Sequence, residues 1–182
     1  MSAALAEAMM AMGARARAVK AVLAAAPASA KNAALAAAAL KIEQRADELL
    51  AVNAADLARA RGESEAFRDR MTLTPARIAG IAAALREIAA LPDPVGRVMR
   101  EWTRPNGLEF RRVATPIGVI AIIYESRPNV TADAAAIAIK AGNAVILRGG
   151  SDCLSTNALI AGLFREALAD ARLPADALQF VE

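Results

Sequence analysis

The sequence has no histidine, a single cysteine and few aromatic residues, which make up 3% of its 182 residues. Without histidine, these residues cannot form a Ser-His-Asp or Cys-His catalytic set, and most zinc sites are excluded as well. One cysteine, Cys153, permits no disulfide framework. The shortage of aromatic rings argues against large ring-lined pockets.

Long apolar runs and clusters of positive charge are missing too. No uncharged apolar stretch approaches the roughly 20 residues that a membrane-spanning helix needs. The N-terminus, MSAALAE, lacks the cationic start of a signal peptide. The formal net charge is +3, but the arginines are scattered among aspartates and glutamates and form no stripe with stacking aromatic residues. We therefore predict a cytoplasmic protein that binds neither membrane nor nucleic acid.

Alanine dominates the hydrophobic residues, which form 57% of the sequence. Because alanine is the strongest helix former, residues 1–91 are predicted to be helical. Leu35, Ile42 and Leu49 recur every seven residues and should form one apolar stripe for packing. The predicted helices span residues 3–26, 29–61 and 74–90.

Local signals mark the boundaries of these helices. Pro27 should close the first helix, because proline cannot continue it. Ser29 is the predicted cap of the second helix, and Gly62 its predicted end. Thr74 followed by Pro75 is a capping residue before proline at the first helical position, which predicts the start of the third helix.

Residues 92–182 have the pattern of alternating strands and helices. The predicted strands are 108–113, 118–123, 144–147 and 178–181, and the predicted helices are 131–141 and 152–171. The strand at 108–113 alternates as a half-exposed strand does, whereas the strand at 118–123 is continuous and β-branched, as in a strand buried on both faces. Thr131 is the predicted cap of the helix that Gly142 ends.

The last three strands and the two helices between them follow the order β-α-β-α-β. Parallel strands joined by crossover helices form one half of a doubly wound, nucleotide-binding sheet. We therefore predict an α/β fold, with a helical N-terminal region (1–91) that packs on a partial Rossmann-like parallel sheet (92–182).

The second of these strands ends in Arg148, Gly149, Gly150 and Ser151. Such sheets bind ligands outside the carboxyl ends of their strands. Two glycines let the backbone approach a ligand closely, Ser151 could cap the next helix or donate to an anion, and Arg148 suits the 2′-phosphate of NADP. The alternative is a tight strand-to-helix turn with a solvated arginine. The dinucleotide-binding pattern G-x-G-x-x-G is absent.

The first of these strands ends in a second polar segment, which contains Glu125, Arg127 and Asn129. Arg127 could hold a carboxylate or a phosphoryl group, and Asn129 could donate to a developing oxyanion. The alternative is a Glu–Arg ion pair followed by an asparagine that caps a turn.

Some other polar side chains are predicted to have no catalytic role. Cys153 lies in the first turn of a helix, a position that can lower a thiol pKa, but no histidine supports it, so a small buried thiol is the preferred interpretation. Lys20, Lys31, Lys41 and Lys140 are predicted to be solvated charges on helix faces.

Two motifs make the sequence resemble a known family. They are YESRPNVTADAA at 124–135 and KAGNAVILRGGS at 140–151, supported by PIGVI at 116–120, DPVG at 93–96 and RPNGL at 104–108. Together they closely resemble the gamma-glutamyl phosphate reductases, also called glutamate-5-semialdehyde dehydrogenases, of the aldehyde dehydrogenase superfamily. The resemblance spans essentially the whole chain.

The resemblance implies an activity and a cofactor. The family uses NADPH to reduce L-glutamyl 5-phosphate to L-glutamate 5-semialdehyde and phosphate in proline biosynthesis, through a cysteine thiolate in a separate downstream domain. Cys153 does not match that motif. The resemblance therefore implies that the chain is an N-terminal portion, without the catalytic domain, and inactive alone.

The resemblance also implies site residues and partners. Arg148, Gly149, Gly150 and Ser151, with Tyr124 and Glu125 at the neighbouring strand end, are implied to contact the cofactor. Arg127 and Asn129 are implied to lie towards the substrate.

The resemblance also implies the partners of the full-length protein. The full-length form is implied to be a homo-oligomer, with 108–113 similar to the start of the superfamily's oligomerisation hairpin, and to associate with glutamate 5-kinase. Two alternatives remain at this point: another aldehyde dehydrogenase-like acyl reductase, and a noncatalytic nucleotide-binding module. No metal site is predicted.

Overall fold

The computed structural model describes residues 3–60 and 64–182. Seven helices and five strands are described in that part of the chain. The helices are α1 (Ala3–Ala25), α2 (Ala28–Gln44), α3 (Ala46–Arg59), α4 (Glu65–Met71), α5 (Pro75–Ala90), α6 (Pro128–Lys140) and α7 (Leu154–Asp170). The strands are β1 (Val98–Thr103), β2 (Glu109–Val113), β3 (Val119–Ile123), β4 (Ala144–Arg148) and β5 (Leu178–Phe180). Short 3-10 turns occupy Ser151–Cys153 and Ala175–Ala177.

Helix α2 is the centre of the helical layer. It packs against α5 on one side and α7 on the other. The predicted apolar stripe is confirmed, because Leu35 and Ile42 are fully buried and Leu49 is almost so. Burial of each such side chain stabilises the fold by about 1.5–3 kcal/mol.

The predicted long helix from Ser29 is wrong in two respects. The chain leaves helical geometry at Arg45 (φ −103°, ψ 21°), so α2 and α3 are separate helices. Beyond the break, α3 packs on α7, as α2 does, and also on the 3-10 turn before α7 and on α4. Pro27, not Ser29, is the residue that precedes α2, and no side chain caps that helix. The predicted end at Gly62 lies outside the described residues.

Helix α4 was missed by the sequence reasoning, and α5 was predicted correctly. The hydroxyl of Ser64 accepts a hydrogen bond from the Phe67 N–H (3.2 Å) and so caps α4. Thr74 caps α5 in the same way, accepting from the Arg77 N–H at 3.1 Å, and Pro75 occupies the first turn.

The last three strands form a parallel sheet of order β3-β4-β5, which confirms the predicted topology. Strand β4 lies in the middle, with Val145 and Leu147 fully buried. Burial of β3 on both faces was predicted, and this prediction is wrong: Ala121 is exposed and Ile123 is 83% exposed. Within the described residues β3 is an edge strand, and one of its faces is uncovered.

Strands β1 and β2 form a separate antiparallel hairpin. The predicted alternation of exposure is wrong, because every residue of β2 is exposed. The rings of Trp102 and Phe110 stack across the two strands with centroids 5.4 Å apart. Residues 108–113 were predicted to start a hairpin. In the structure the corresponding strand, β2, is the second strand of that hairpin.

The boundaries of the last two helices differ from the predicted ones. Helix α6 begins at Pro128, one turn before the predicted cap, and Thr131 is buried inside it. Gly142, with φ +73°, follows its end as predicted. A 3-10 turn from Ser151 precedes α7, and the Ser151 side chain caps neither element.

Two lysines that were predicted to be solvated are buried. Lys31 is fully buried, and its ammonium lies 2.6 Å from an Asp93 carboxylate oxygen. Lys140 is 4% exposed and donates to the Asn32 side chain (2.5 Å) and the Ala89 carbonyl (2.8 Å). Burial lowers the pKa of Lys140. For Asp93, burial favours a higher pKa, but the hydrogen bonds from Lys31 and the backbone hold the pKa below its ordinary value.

No single helix in the described ranges 3–60 and 64–182 is both long and apolar enough to cross a membrane; α1 and α2 pass that test only as a pair, and their axes are bent by 119°.

Candidate functional site

The two polar segments predicted at strand ends lie side by side. Strands β3 and β4 are parallel and in register, with Ile123 opposite Arg148. The Tyr124 N–H then donates to the Arg148 carbonyl at 3.1 Å, which extends the pairing by one residue. Parallel pairing therefore brings residues 124–129 and 148–151 to one edge of the sheet, as ligand sites of this fold class require.

Arg148 is a half-buried cation at that edge. Its guanidinium donates to the carbonyl oxygen of Gly149. No carboxylate forms an ion pair with Arg148 in the part of the chain that the structure describes. A partly desolvated guanidinium without an anionic partner can bind phosphate strongly, because the competing hydration is reduced.

The two glycines after Arg148 are surrounded by the chain itself. A β-carbon at Gly149 would overlap the side chain of Asn157 and lie 3.2 Å from the Tyr124 ring. A β-carbon at Gly150 would overlap the Ser126 hydroxyl and lie 2.8 Å from the Ser126 nitrogen. Glycine is thus required here for packing between the two strand ends. Their predicted contact with a cofactor stays a prediction.

Hydrogen bonds hold the segment after β3. The Tyr124 hydroxyl lies 2.7 Å from the hydroxyl of Thr131, and burial raises the pKa of Tyr124. The Ser126 hydroxyl donates to Asp152 at 3.0 Å, which ties this segment to the one after β4. These contacts fix the backbone between the two strand ends.

The two residues predicted to face the substrate line a groove. Its volume is about 630 Å³, and it lies between α4 and α5 on one side and the N-terminal half of α6 on the other. Arg127 and Asn129 enter it from the α6 side. The charged lining is completed by Arg70, Arg77, Asp69 and Asp133.

Arg127 has an exposed partner and an unsatisfied donor. Its guanidinium pairs with Glu125 at 3.2 Å, and both side chains are substantially exposed. The predicted Glu–Arg pair is therefore present, but such a surface pair is worth about 0–1 kcal/mol and is easily exchanged for a ligand. The Nε atom of Arg127 is buried and makes no hydrogen bond to any described residue.

The N-termini of the two helices that follow the strand ends differ. No side chain caps α6, which opens at the groove. At α7, the Asp56 carboxylate accepts hydrogen bonds from the Thr156 N–H (2.8 Å) and hydroxyl (2.6 Å). Asp56 is fully buried and also pairs with Arg59. A helix N-terminus attracts anions, and at α7 the chain supplies that anion itself.

Cys153 lies beneath the second strand end and is fully buried. Burial first, and then the charges of Asp56 and Asp152, raise the pKa of the Cys153 thiol to about 12. The thiol is therefore protonated at neutral pH and a poor nucleophile. The preferred interpretation as a small buried thiol fits this environment.

Sequence reasoning missed several polar residues of this region. Asn53 donates to the Met71 carbonyl (2.9 Å) and accepts from the Leu73 N–H (2.7 Å), and so joins α3 to the segment that forms one groove wall. Asp56, Asn157 and Asp133 were missed as well. Each is one polar residue inside a helical pattern, so no local signal marks it; Thr156, a partner of Asp56, lies 100 residues further along the chain.

Comparison with known proteins identifies the class. The whole chain, residues 1–182, matches the sequence model of the aldehyde dehydrogenase family, so the chain belongs to the aldehyde dehydrogenase family. A solved acetylating aldehyde dehydrogenase from Geobacillus thermoglucosidasius has the same fold over 96% of this chain and 36% of its own, with a TM-score of 0.74 at 17% identity. The predicted α/β fold class is thereby confirmed.

Higher similarities fall in one branch of that family. Gamma-glutamyl phosphate reductases from Thermobifida fusca (strain YX) and Mesorhizobium japonicum are 54% and 55% identical to this chain over 92% and 93% of it. The crystal structure of the enzyme from Thermotoga maritima superposes with a TM-score of 0.91 at 40% identity, covering 95% of this chain and 42% of that one. The chain spans about 40% of the length of the curated relatives it matches. The predicted family is confirmed.

Proposed function

We propose that the protein carrying this chain reduces L-glutamyl 5-phosphate to L-glutamate 5-semialdehyde and phosphate with NADPH, a step of proline biosynthesis. The observation that carries the proposal is the groove beside the paired strand ends. It opens at an uncapped helix N-terminus and contains Arg127 and Asn129. Cations and helix N–H groups suit an acyl phosphate, which carries negative charge next to the carbon that reacts.

The cofactor is proposed to bind at the sheet edge next to the groove. Arg148 fits its phosphate because the guanidinium is half-buried and unpaired within the described ranges. Gly149, Gly150 and Ser151 would present backbone N–H groups and a hydroxyl, and Tyr124 and Glu125 complete the edge from β3. When bound, NADPH supplies the hydride.

The residues of this chain bind and orient the substrate. Arg127 would hold the phosphoryl group, exchanging its exposed partner Glu125 for the ligand. Asn129, in the first turn of α6, would donate to the oxygen on which charge develops. Cys153 is not the nucleophile in this proposal, because it is buried and its pKa is raised to about 12. We place the reacting thiol outside these 182 residues, and we expect no reductase activity from the chain alone.

The remaining proposals concern the domains of the protein, its assembly and its location. Residues 1–91 would form a helical region on the nucleotide-binding unit that begins at 92, and the exposed β1–β2 hairpin would contribute to a homo-oligomer. Association with glutamate 5-kinase and a cytoplasmic location stay predictions.

The proposal is tested with the intact protein in the oxidative direction. L-Glutamate 5-semialdehyde, phosphate and NADP⁺ should give NADPH, measured by its absorbance. Arg148→Ala should raise the KM for NADP⁺ by about 10- to 100-fold, because one charge-assisted contact is worth about 1.5–3 kcal/mol. The KM for NAD⁺ should change little.

A matched control is Arg86→Ala, which removes an exposed arginine that pairs with Glu43 at 2.5–2.7 Å and belongs to neither strand end. This change should leave the KM values for NADP⁺ and NAD⁺ unchanged. If wild-type protein forms no NADPH from the semialdehyde and phosphate, the proposed function is wrong. If Arg148→Ala raises the two KM values equally, Arg148 does not contact the 2′-phosphate.

A further inference from the structure

One carboxylate in the groove lacks a cation. Asp133 lies on α6 and lines the groove. Its hydrogen bond is a long one, from the Asn129 side chain at 3.4 Å, and no lysine or arginine of residues 3–60 or 64–182 pairs with it. Burial raises the pKa of Asp133. Desolvation of a partly buried carboxylate without a cation costs stability, and a positively charged ligand group would offset that cost.

One cation in the groove lacks a carboxylate. Arg70, from α4, lies over the Phe67 ring at 5.9 Å, and within the described chain it makes no ion pair. By contrast, Asp69 and Arg77, which also line the groove, pair with each other at 2.8 Å. The groove therefore keeps one uncompensated negative group on α6 and one uncompensated positive group on α4.

We propose that this groove recognises the α-amino-acid end of the substrate, with Asp133 pairing with the ammonium group and Arg70 with the α-carboxylate. The inference rests on the proposed function and adds the residues that select an amino acid. Arg127 and Asn129 then face the reacting end of the same molecule, closer to the strand ends.

The spacing along α6 supports this orientation. Asn129 and Asp133 are four residues apart on one face of the helix, which corresponds to about 6 Å along its axis. In a glutamyl group, four bonds separate the acyl carbon from the amino nitrogen, a reach of about 5 Å. The two side chains meet at 3.4 Å, so one glutamyl chain lying along α6 can contact Asn129 at its acyl end and Asp133 at its ammonium.

The chemistry predicts discrimination against substrates without the amino group. A ligand that lacks the ammonium leaves Asp133 desolvated and unpaired, and this penalty acts on binding. We expect a preference of about 10- to 100-fold in kcat/KM, the range for one charged hydrogen bond. The preference should lie mainly in KM, since the amino group is remote from the reacting carbon.

The test compares two aldehydes with the intact protein, phosphate and NADP⁺. L-Glutamate 5-semialdehyde has the amino group, and glutarate semialdehyde lacks it but keeps the carboxylate. Asp133→Asn should reduce the wild-type preference at least 10-fold, through a higher KM for the amino-acid substrate. Arg70→Gln should raise the KM for both aldehydes about equally, because both carry the carboxylate.

Glu166→Gln is the matched control, because it alters a carboxylate that pairs with Lys41 (3.4 Å) and does not line the groove; it should keep the preference. The Tm of each variant verifies that it is folded, and a direct titration with L-glutamate replaces kinetics for any variant with low turnover. Wild-type protein inactive on both aldehydes refutes the proposed function itself. Wild-type activity with a preference that Asp133→Asn leaves intact overturns the inference alone.

Discussion

The strongest structural prediction concerns Gly150. Its backbone angles, φ −61° and ψ 152°, suit any L-residue, so alanine would introduce no backbone strain. The only obstacle is space. A β-carbon there would overlap the Ser126 hydroxyl, lie 2.8 Å from the Ser126 nitrogen and 3.2 Å from its α-carbon. A hydroxyl can rotate away, but a backbone nitrogen cannot, so the two strand-end segments would have to separate.

The size of the effect follows from two opposing contributions. Overpacking typically costs about 1–3 kcal/mol, whereas replacing glycine by alanine restricts the unfolded chain and stabilises by about 0.4–1 kcal/mol. The expected net loss for Gly150→Ala is therefore about 1–2 kcal/mol, which lowers the Tm of a protein of this size by about 2–8 °C.

Calorimetry on Gly150→Ala tests this, with Gly162→Ala as the control. Gly162 lies within α7 and has no atom within 4 Å of its would-be β-carbon, so alanine there should raise stability by up to about 1 kcal/mol. Adding Ser126→Ala to Gly150→Ala should recover part of the loss. A Gly150→Ala protein as stable as wild type would refute the packing argument and leave ligand approach as the reason for the glycine.

Four further outcomes are expected. Asp93→Asn should lower the free energy of unfolding in urea by about 3 kcal/mol, because it leaves the buried Lys31 ammonium without its anion. Lys31→Met, which removes the charge, should lower it less. Equal losses in the two variants would contradict the argument from an unpaired buried charge. Because the folded-state pKa of Asp93 is lowered, its contribution should be full above the ordinary value of 3.8 and lost as pH falls through the lowered pKa, measured by Tm against pH. Cys153 should resist a thiol reagent at pH 8 and react after unfolding; rapid native labelling would show that the thiol is accessible. Asp56→Ala should lower the Tm, because it uncaps α7 at Thr156, whereas Asp47→Ala, an exposed change at the start of α3, should affect it less.

The order of strands and helices could be predicted because it depends on local patterns. Continuous β-branched runs separated by helix-length segments predict parallel pairing, and Gly142 marks the end of α6 by its positive φ. The break at Arg45 could not be predicted, because nothing in its neighbourhood disfavours a helix. We attribute it to tertiary packing, since α3 contacts α4 and the 3-10 turn before α7 in addition to α7, which both helices contact.

The residues of the candidate site also divide into those that a local sequence pattern predicts and those that it does not. Arg148 and Arg127 were predicted because they lie at strand ends, where the fold class places ligands: Arg148 is the last residue of β4, and Arg127 comes four residues after β3. Lys31 and Asp133 have no comparable signal. A lysine or an aspartate in an alanine-rich helix has the pattern of a solvated charge, and its burial depends on which face the distant helices cover.

The N-termini of α6 and α7, which follow the two strand ends, offer different environments to an anion. At α7 the Asp56 carboxylate occupies the position that a phosphate would otherwise take, and it is fixed from the opposite side by a buried network. In the proposed cofactor site, phosphate binding at the second strand end would therefore depend on Arg148 and the turn after it rather than on the N-terminus of α7. At α6 the N-terminus has no side-chain cap and is next to the unsatisfied Nε atom of Arg127. That end is consequently the better place for an anion held during a reaction, where a fixed dipole and a cation act together.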